Sequence, residues 1–152
     1  MLRVLFGPFD LLGVARTEKP FGLLPLFVKT ALEEVFFHDL ALPGRQLVET
    51  MQTHLDINAA QAKRRAIELL QSTGIQAAEQ RIEHYPHQFS GGMRQRVVIA
   101  LALAAEPKLL VADEPTTALD VSIQAQIINL LQRLCKERGA AVMLITHDMG
   151  VI

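Results

Sequence analysis

The sequence predicts an α/β protein in which a helical part is followed by an incomplete parallel sheet, and three observations carry that prediction. Apolar residues recur at helical spacing from about residue 45 to residue 107. Two short continuous apolar runs, LLVA at residues 109–112 and AAVMLI at residues 140–145, have the form of strands covered on both faces. Between them Ile123, Ile127, Leu130, Leu131 and Leu134 mark one face of a helix that Gly139 ends. The three segments make a strand, helix, strand unit with parallel strands, whose crossover should be right-handed.

The bulk properties narrow the function classes. A chain of 152 residues, half of them apolar, has room for one core. Fifteen basic against sixteen acidic side chains leave a net charge of −1, so the footprint of a nucleic-acid binder is missing and no nucleic-acid partner is expected. The single cysteine, Cys135, cannot form an internal disulfide and reads as a buried thiol in a reducing compartment. The longest uncharged apolar runs are about nine residues, below the roughly 18 to 20 that cross a bilayer. Pro8 and Asp10 interrupt the stretch that a signal peptide would keep apolar.

Composition changes near the sequence ALPGRQL. Residues 1–44 hold six of the seven phenylalanines and no glutamine, while residues 45–152 hold one phenylalanine and eleven glutamines. Pro8, Pro20 and Pro25 break any helical period in the first part, where only residues 30–40 offer a few turns of helix. Residues 1–44 therefore read as a divergent leader, poorly ordered or unrelated to the rest. Residues 45–107 read as a helical part and residues 108–152 as the sheet-forming part.

Within the helical part, Leu47, Val48, Met51 and Leu55 share one face. Asn58 is placed to cap a second helix carrying Ala59, Ala62, Ala66, Leu69 and Leu70, and Gly74 to end it. The helix after Ser90 is apolar nearly all round over residues 97–105, which predicts burial, until Glu106 and Pro107 stop it.

Parallel strands bring their C-terminal ends to one rim, where open α/β sheets bind ligands. Asp113 and Glu114 follow the first strand, and Thr146 and His147 follow the second. Adjacent carboxylates in that place can hold Mg²⁺ through one group and orient or deprotonate a water with the other. Taken singly, the pair could equally open a polar turn before Pro115, and His147 could be a structural histidine. Ser90, Gly91 and Gly92 at a helix start leave backbone N–H groups unpaired at the positive end of the helix dipole, with no side chain in front of them. Such a start suits a phosphate, although three residues of this kind also make an ordinary serine cap.

The order FSGGMRQR, LLVADEPTTALD, ITHDMG resembles the signature, Walker B, D-loop and H-loop series of ABC-transporter ATPases, which have a P-loop NTPase fold. YPHQFSGGMRQRV, DEPTTALDVSIQAQI and THDMGVI are most similar to the ATP-binding subunits of dipeptide, oligopeptide, nickel and glutathione importers. The resemblance covers about residues 45–152. It implies that Ser90, Gly91 and Gly92 contact the γ-phosphate of ATP held by a partner subunit, and that Asp113 places Mg²⁺ through water. It further implies Glu114 as general base, Asp120 as the D-loop aspartate and His147 as the switch histidine. The implied partners are a second ATPase subunit, identical or related, and transmembrane permease subunits. The implied place is cytoplasmic, peripheral on the inner face of the plasma membrane. The signature departs from the frequent LSGGQ at Phe89 and Met93.

The P-loop, GxxxxGK[ST], is missing from these residues. Of five lysines only Lys29 precedes a serine or threonine, and Leu23 stands where the first glycine belongs. The Q-loop glutamine should fall before residue 45, in the stretch that has none. The family's pattern also continues past residue 152, so both ends read as truncated. An ATP-hydrolysing subunit, or part of one, energising import of peptides or similar solutes is the leading expectation, with little hydrolysis by these residues alone. The alternatives are a non-catalytic interaction fragment and the product of a disrupted reading frame.

Overall fold

The computed structural model describes residues 26–29, 42–116 and 119–146. In chain order these form strand β1 (Leu26–Lys29), helices α1 (Pro43–His54), α2 (Ala59–Ser72) and α3 (Ala78–Arg81), a 3₁₀ turn at Pro86–Gln88, helix α4 (Gly91–Leu103), strand β2 (Leu109–Asp113), helix α5 (Val121–Arg138) and strand β3 (Ala141–Ile145). The three strands make one parallel sheet in the order β1-β2-β3.

Local chemistry accounts for the helix ends. Pro43 opens α1, where its missing N–H costs nothing. Asn58 caps α2 through a reciprocal pair: its Oδ1 accepts the Gln61 N–H at 2.9 Å, and Gln61 Oε1 accepts the Asn58 N–H at 3.0 Å. Beyond the other end of α2, Gly74 takes φ +84°, and Gly139 takes φ +66° after α5, the left-handed region that glycine enters without a Cβ penalty. Two arginines from other helices complete the end of α2. Arg96 of α4 donates to Thr73 O at 2.8 Å, and Arg133 of α5 donates to Ser72 O at 3.2 Å, so positive charge meets the negative end of the helix dipole.

The core forms where these elements meet. Leu47 and Met51 of α1, Ala62, Ala66, Leu69 and Leu70 of α2, and Ile127, Leu131 and Leu134 of α5 are buried. Leu55 is half-buried just past the end of α1, and Ala59 is exposed, so the apolar stripe is narrower than the spacing suggested. In α4 every residue from Val97 to Leu103 is buried, and Gln95 with them. This all-round burial makes α4 the central helix, as its lack of a polar face predicts. It stops at Leu103, earlier than expected, and the chain turns through Glu106 at φ +51°.

β2 lies between the other two strands, and its middle residues Leu110, Val111 and Ala112 are buried. β3 is an edge strand among the described residues. Ala141, Val142, Met143 and Ile145 remain half-buried there, so full coverage holds for β2 and fails for β3.

The structure differs from the sequence reading at β1. Residues 26–29 lie inside the stretch set aside as a leader, yet they pair with β2 in the register Leu26 with Leu110 through Lys29 with Asp113. Four residues behind Pro25 carry too short a pattern to separate strand from helix, and proline is tolerated ahead of a strand. The expected helix over residues 30–40 lies outside the described residues.

Cys135 is buried in α5 between Leu134 and the turn at Gly139, and burial pushes its thiol up to about 11. The folded chain therefore keeps the proton that the unfolded chain begins to lose near 9. Stability should fall as pH rises through 9 towards 11, and Cys135→Ser should flatten that decline in denaturant melts. Alkylation at pH 8 should be slow until denaturant is added.

Candidate functional site

The site is assembled from two places, the C-terminal rim of the sheet and the start of α4. On the rim, β2 and β3 run in register so that Asp113 pairs with Ile145, and the Glu114 N–H donates to Ile145 O at 2.8 Å. Asp113, Glu114 and Thr146 thus sit side by side at the ends of adjacent strands. His147 lies outside the described residues.

Glu114 has φ +50°, a left-handed backbone for a residue with a Cβ that also precedes proline. Such a conformation costs on the order of 1–3 kcal/mol and persists only where surroundings impose it. Here the hydrogen bond to Ile145 O and the burial of Pro115 and Thr116 hold the turn. The direction of the Glu114 side chain is therefore set by the sheet. Nothing in the sequence signalled this φ.

At the second place, Ser90 is exposed and caps α4 by accepting the Met93 N–H at 3.4 Å. Serving there as acceptor, the hydroxyl keeps its own proton available for a further acceptor. Gly91 and Gly92 form the first turn, where N–H groups have no intrahelical acceptor. Among the described residues, a Cβ on Gly91 would touch only Leu119 Cδ2, at 3.7 Å, and one on Gly92 would meet Ile123 Cγ2 at 3.3 Å. The glycines are thus backed by Leu119, immediately before Asp120, and Ile123, three residues after it. Sequence reasoning placed Ile123 on the core face of its helix and assigned nothing to Leu119. Asp120 is exposed and is the N-cap residue of α5, without a side-chain cap bond.

A cavity of about 410 Å³ lined by Leu55, Leu103, Glu106, Lys108 and Arg138 lies elsewhere, at the start of β2 and the end of α5, on the opposite edge from Asp113. Among the described residues no group of three or more His, Cys, Asp or Glu side chains could hold a metal ion unaided. A divalent cation at the rim would therefore need further ligands, as Mg²⁺ takes from water and phosphate.

The profile of the ABC transporter family matches residues 27–117, more than half of the chain. The chain belongs to the ABC transporter family. The match begins at β1, inside the segment whose composition set it apart. Among curated relatives, the oligopeptide transport ATP-binding protein OppD of Bacillus subtilis is 57% identical over 109 residues, covering 72% of this chain and 30% of the relative. The dipeptide transport ATP-binding protein DppD of Lactococcus lactis is 53% identical over 110 residues, covering 72% and 32%. This ABC chain thus spans about a third of the length of the curated relatives it matches.

The dimeric structure of MJ0796, a bacterial ABC transporter cassette, aligns with a TM-score of 0.67 and 32% identity over 84% of this chain and 53% of the cassette. A second dimeric structure of that cassette, in a post-hydrolysis state bound to ADP and Pi, aligns with a TM-score of 0.65 and 31% identity over 83% of this chain and 53% of that one. The described residues accordingly form part of the ABC ATPase fold: helices with a small parallel sheet. No described helix is long and apolar enough to cross a membrane.

Proposed function

We propose that this chain supplies the signature end and the hydrolytic carboxylate of an ABC ATPase that energises import of peptides or similar small solutes. The observation that carries the reading is the start of α4. Its first-turn N–H groups have no intrahelical acceptor, and among the described residues its two glycines pack against Leu119 and Ile123, which flank Asp120 in sequence, a cradle that suits a phosphate. The curated relatives, named for oligopeptide and dipeptide transport, support the solute class.

The order of the motifs supports a role for each residue. The Gly91 and Gly92 N–H groups and the Ser90 hydroxyl donate to γ-phosphate oxygens presented from outside this chain. Glu114, aimed by its turn, accepts a proton from the attacking water. Asp113, one residue earlier at the end of β2, would hold Mg²⁺ through water, and His147, outside the described residues, is assigned to the same phosphate. Mg-ATP, when bound, supplies the phosphoryl group and the charge-neutralising cation. The P-loop facing this signature turn is assigned to the partner ATPase subunit; these 152 residues contain none. Asp120 faces that subunit. Permease subunits in the membrane receive the stroke, which places the chain peripherally on the cytoplasmic face.

The test is association. An intact ATP-binding subunit of the oligopeptide type, its own catalytic glutamate replaced by glutamine so that ATP persists, is mixed with this chain and followed by sedimentation. Complex formation with Mg-ATP and not with ADP is expected. Absence of a complex in both overturns the proposal. The chain alone should show negligible Mg-ATP hydrolysis, and turnover abolished by Glu114→Gln would contradict the assignment of the P-loop to another subunit.

A further inference from the structure

We infer that Gln124 is a positioning residue that clamps the D-loop against the signature turn. Gln124 lies in the first turn of α5, and its side-chain amide reaches back over the loop that precedes the helix. Its Nε2 donates to Leu119 O at 3.0 Å and to Thr116 O at 3.3 Å. Both acceptors are carbonyls, so only the NH₂ end can make these bonds. Oε1 is buried with no donor among the described residues, and the side chain is held through its nitrogen alone.

The two carbonyls bracket residues 117–118, so one side chain ties the entry of the loop to its exit. Thr116 O also accepts the Leu119 N–H at 3.2 Å, and the amide reinforces that turn. Leu119 is the residue behind Gly91, and Ile123, next to Gln124, is the residue behind Gly92. The clamp therefore fixes the position of Asp120 and the backing of the phosphate cradle together. Loosening it should let the two move apart, although neither bond touches the nucleotide.

The effect of this clamp on partner binding rests on the reading above, but the clamp itself can be measured in the chain alone. Gln124→Glu keeps the shape and removes both donors, Gln124→Leu removes all polarity, and Gln124→Lys restores N–H donors on a flexible stem. Amide hydrogen exchange over residues 116–120 should speed up at least about fivefold in the Glu and Leu variants and return towards the native rate in the Lys variant. Exchange over residues 127–135 should stay unchanged. Equal exchange over residues 116–120 in all variants overturns the inference, and so does a loss of protection spread evenly over α5.

In the sedimentation assay, Gln124→Glu and Gln124→Leu should weaken the Mg-ATP-dependent complex about tenfold, and Gln124→Lys should recover it. Native association in all three, with exchange altered as expected, overturns the coupling to the cradle. If even the native chain fails to associate, the proposed function falls, and the exchange result still decides the clamp.

Discussion

Replacing Gly91 by aspartate should raise the melting temperature of this chain and abolish its Mg-ATP-dependent association with an intact subunit. The two effects have opposite signs because they act on different partners of the same helix start. Gly91 occupies the first position of α4, and among the described residues a Cβ there meets only Leu119 Cδ2 at an ordinary 3.7 Å. A carboxylate in the first turn interacts favourably with the helix dipole, by about 0.3–1 kcal/mol. The same carboxylate adds a negative charge beside the N–H groups assigned to the γ-phosphate and repels it. Losing one or two charge-assisted hydrogen bonds, at about 1.5–3 kcal/mol each, already weakens binding by tenfold or more before the repulsion is counted. Gly91→Ala, which adds bulk without charge, should fall between. A thermal melt beside the sedimentation assay checks both halves, and normal association by the aspartate variant would remove α4 from the phosphate.

The largest expected loss of stability comes from Gly44→Ala. Gly44 is buried in the first turn of α1, and a Cβ there would run into the Ile82 carbonyl oxygen and Ile82 Cγ1. The oxygen belongs to backbone, which cannot swing aside, so α1 would have to lift from the segment after α3. Overpacking of this kind costs about 1–3 kcal/mol, occasionally more. Chemical denaturation should report that loss as a lower midpoint. A midpoint equal to the native one would mean that α1 shifts freely, and that Gly44 owes nothing to the close approach.

Gly44 shows where the sequence was legible and where it was not. Sequence reading placed a seam near ALPGRQL, where phenylalanine and glutamine content changes, and gave Gly44 no structural role. In the structure both residues are inside a helix, Pro43 as its first position and Gly44 because another backbone passes over it. Composition carries no trace of a contact, and the reason for this glycine lies 38 residues further on, at Ile82. β1 was hidden for a related reason, since its partner β2 is some 80 residues away and its own four residues carry little pattern.

By contrast, Asn58, Gly74, Ser90 and Gly139 were readable as helix ends because capping is settled within a few residues. The rim was readable too, because two parallel strands followed by polar residues must bring them to one edge. The φ of Glu114, the backing of the glycines by Leu119 and Ile123, and the Gln124 amide were not, because each depends on a turn whose shape no residue type announces.

The burial of α4 has a consequence for how finely the phosphate cradle is aimed. Thirteen residues at about 1.5 Å each make a rod some 20 Å long, with its seven-residue rear half locked in the core and its half-buried glycines at the other end. A hydrogen bond tolerates roughly 0.3 Å of misplacement before it weakens, which over that length corresponds to about one degree of tilt. The helix works as a lever with its fulcrum in the core, so a single methylene removed near Leu103 is felt, magnified, at the far end. Aim, in this fold, is a property of the packing behind the site.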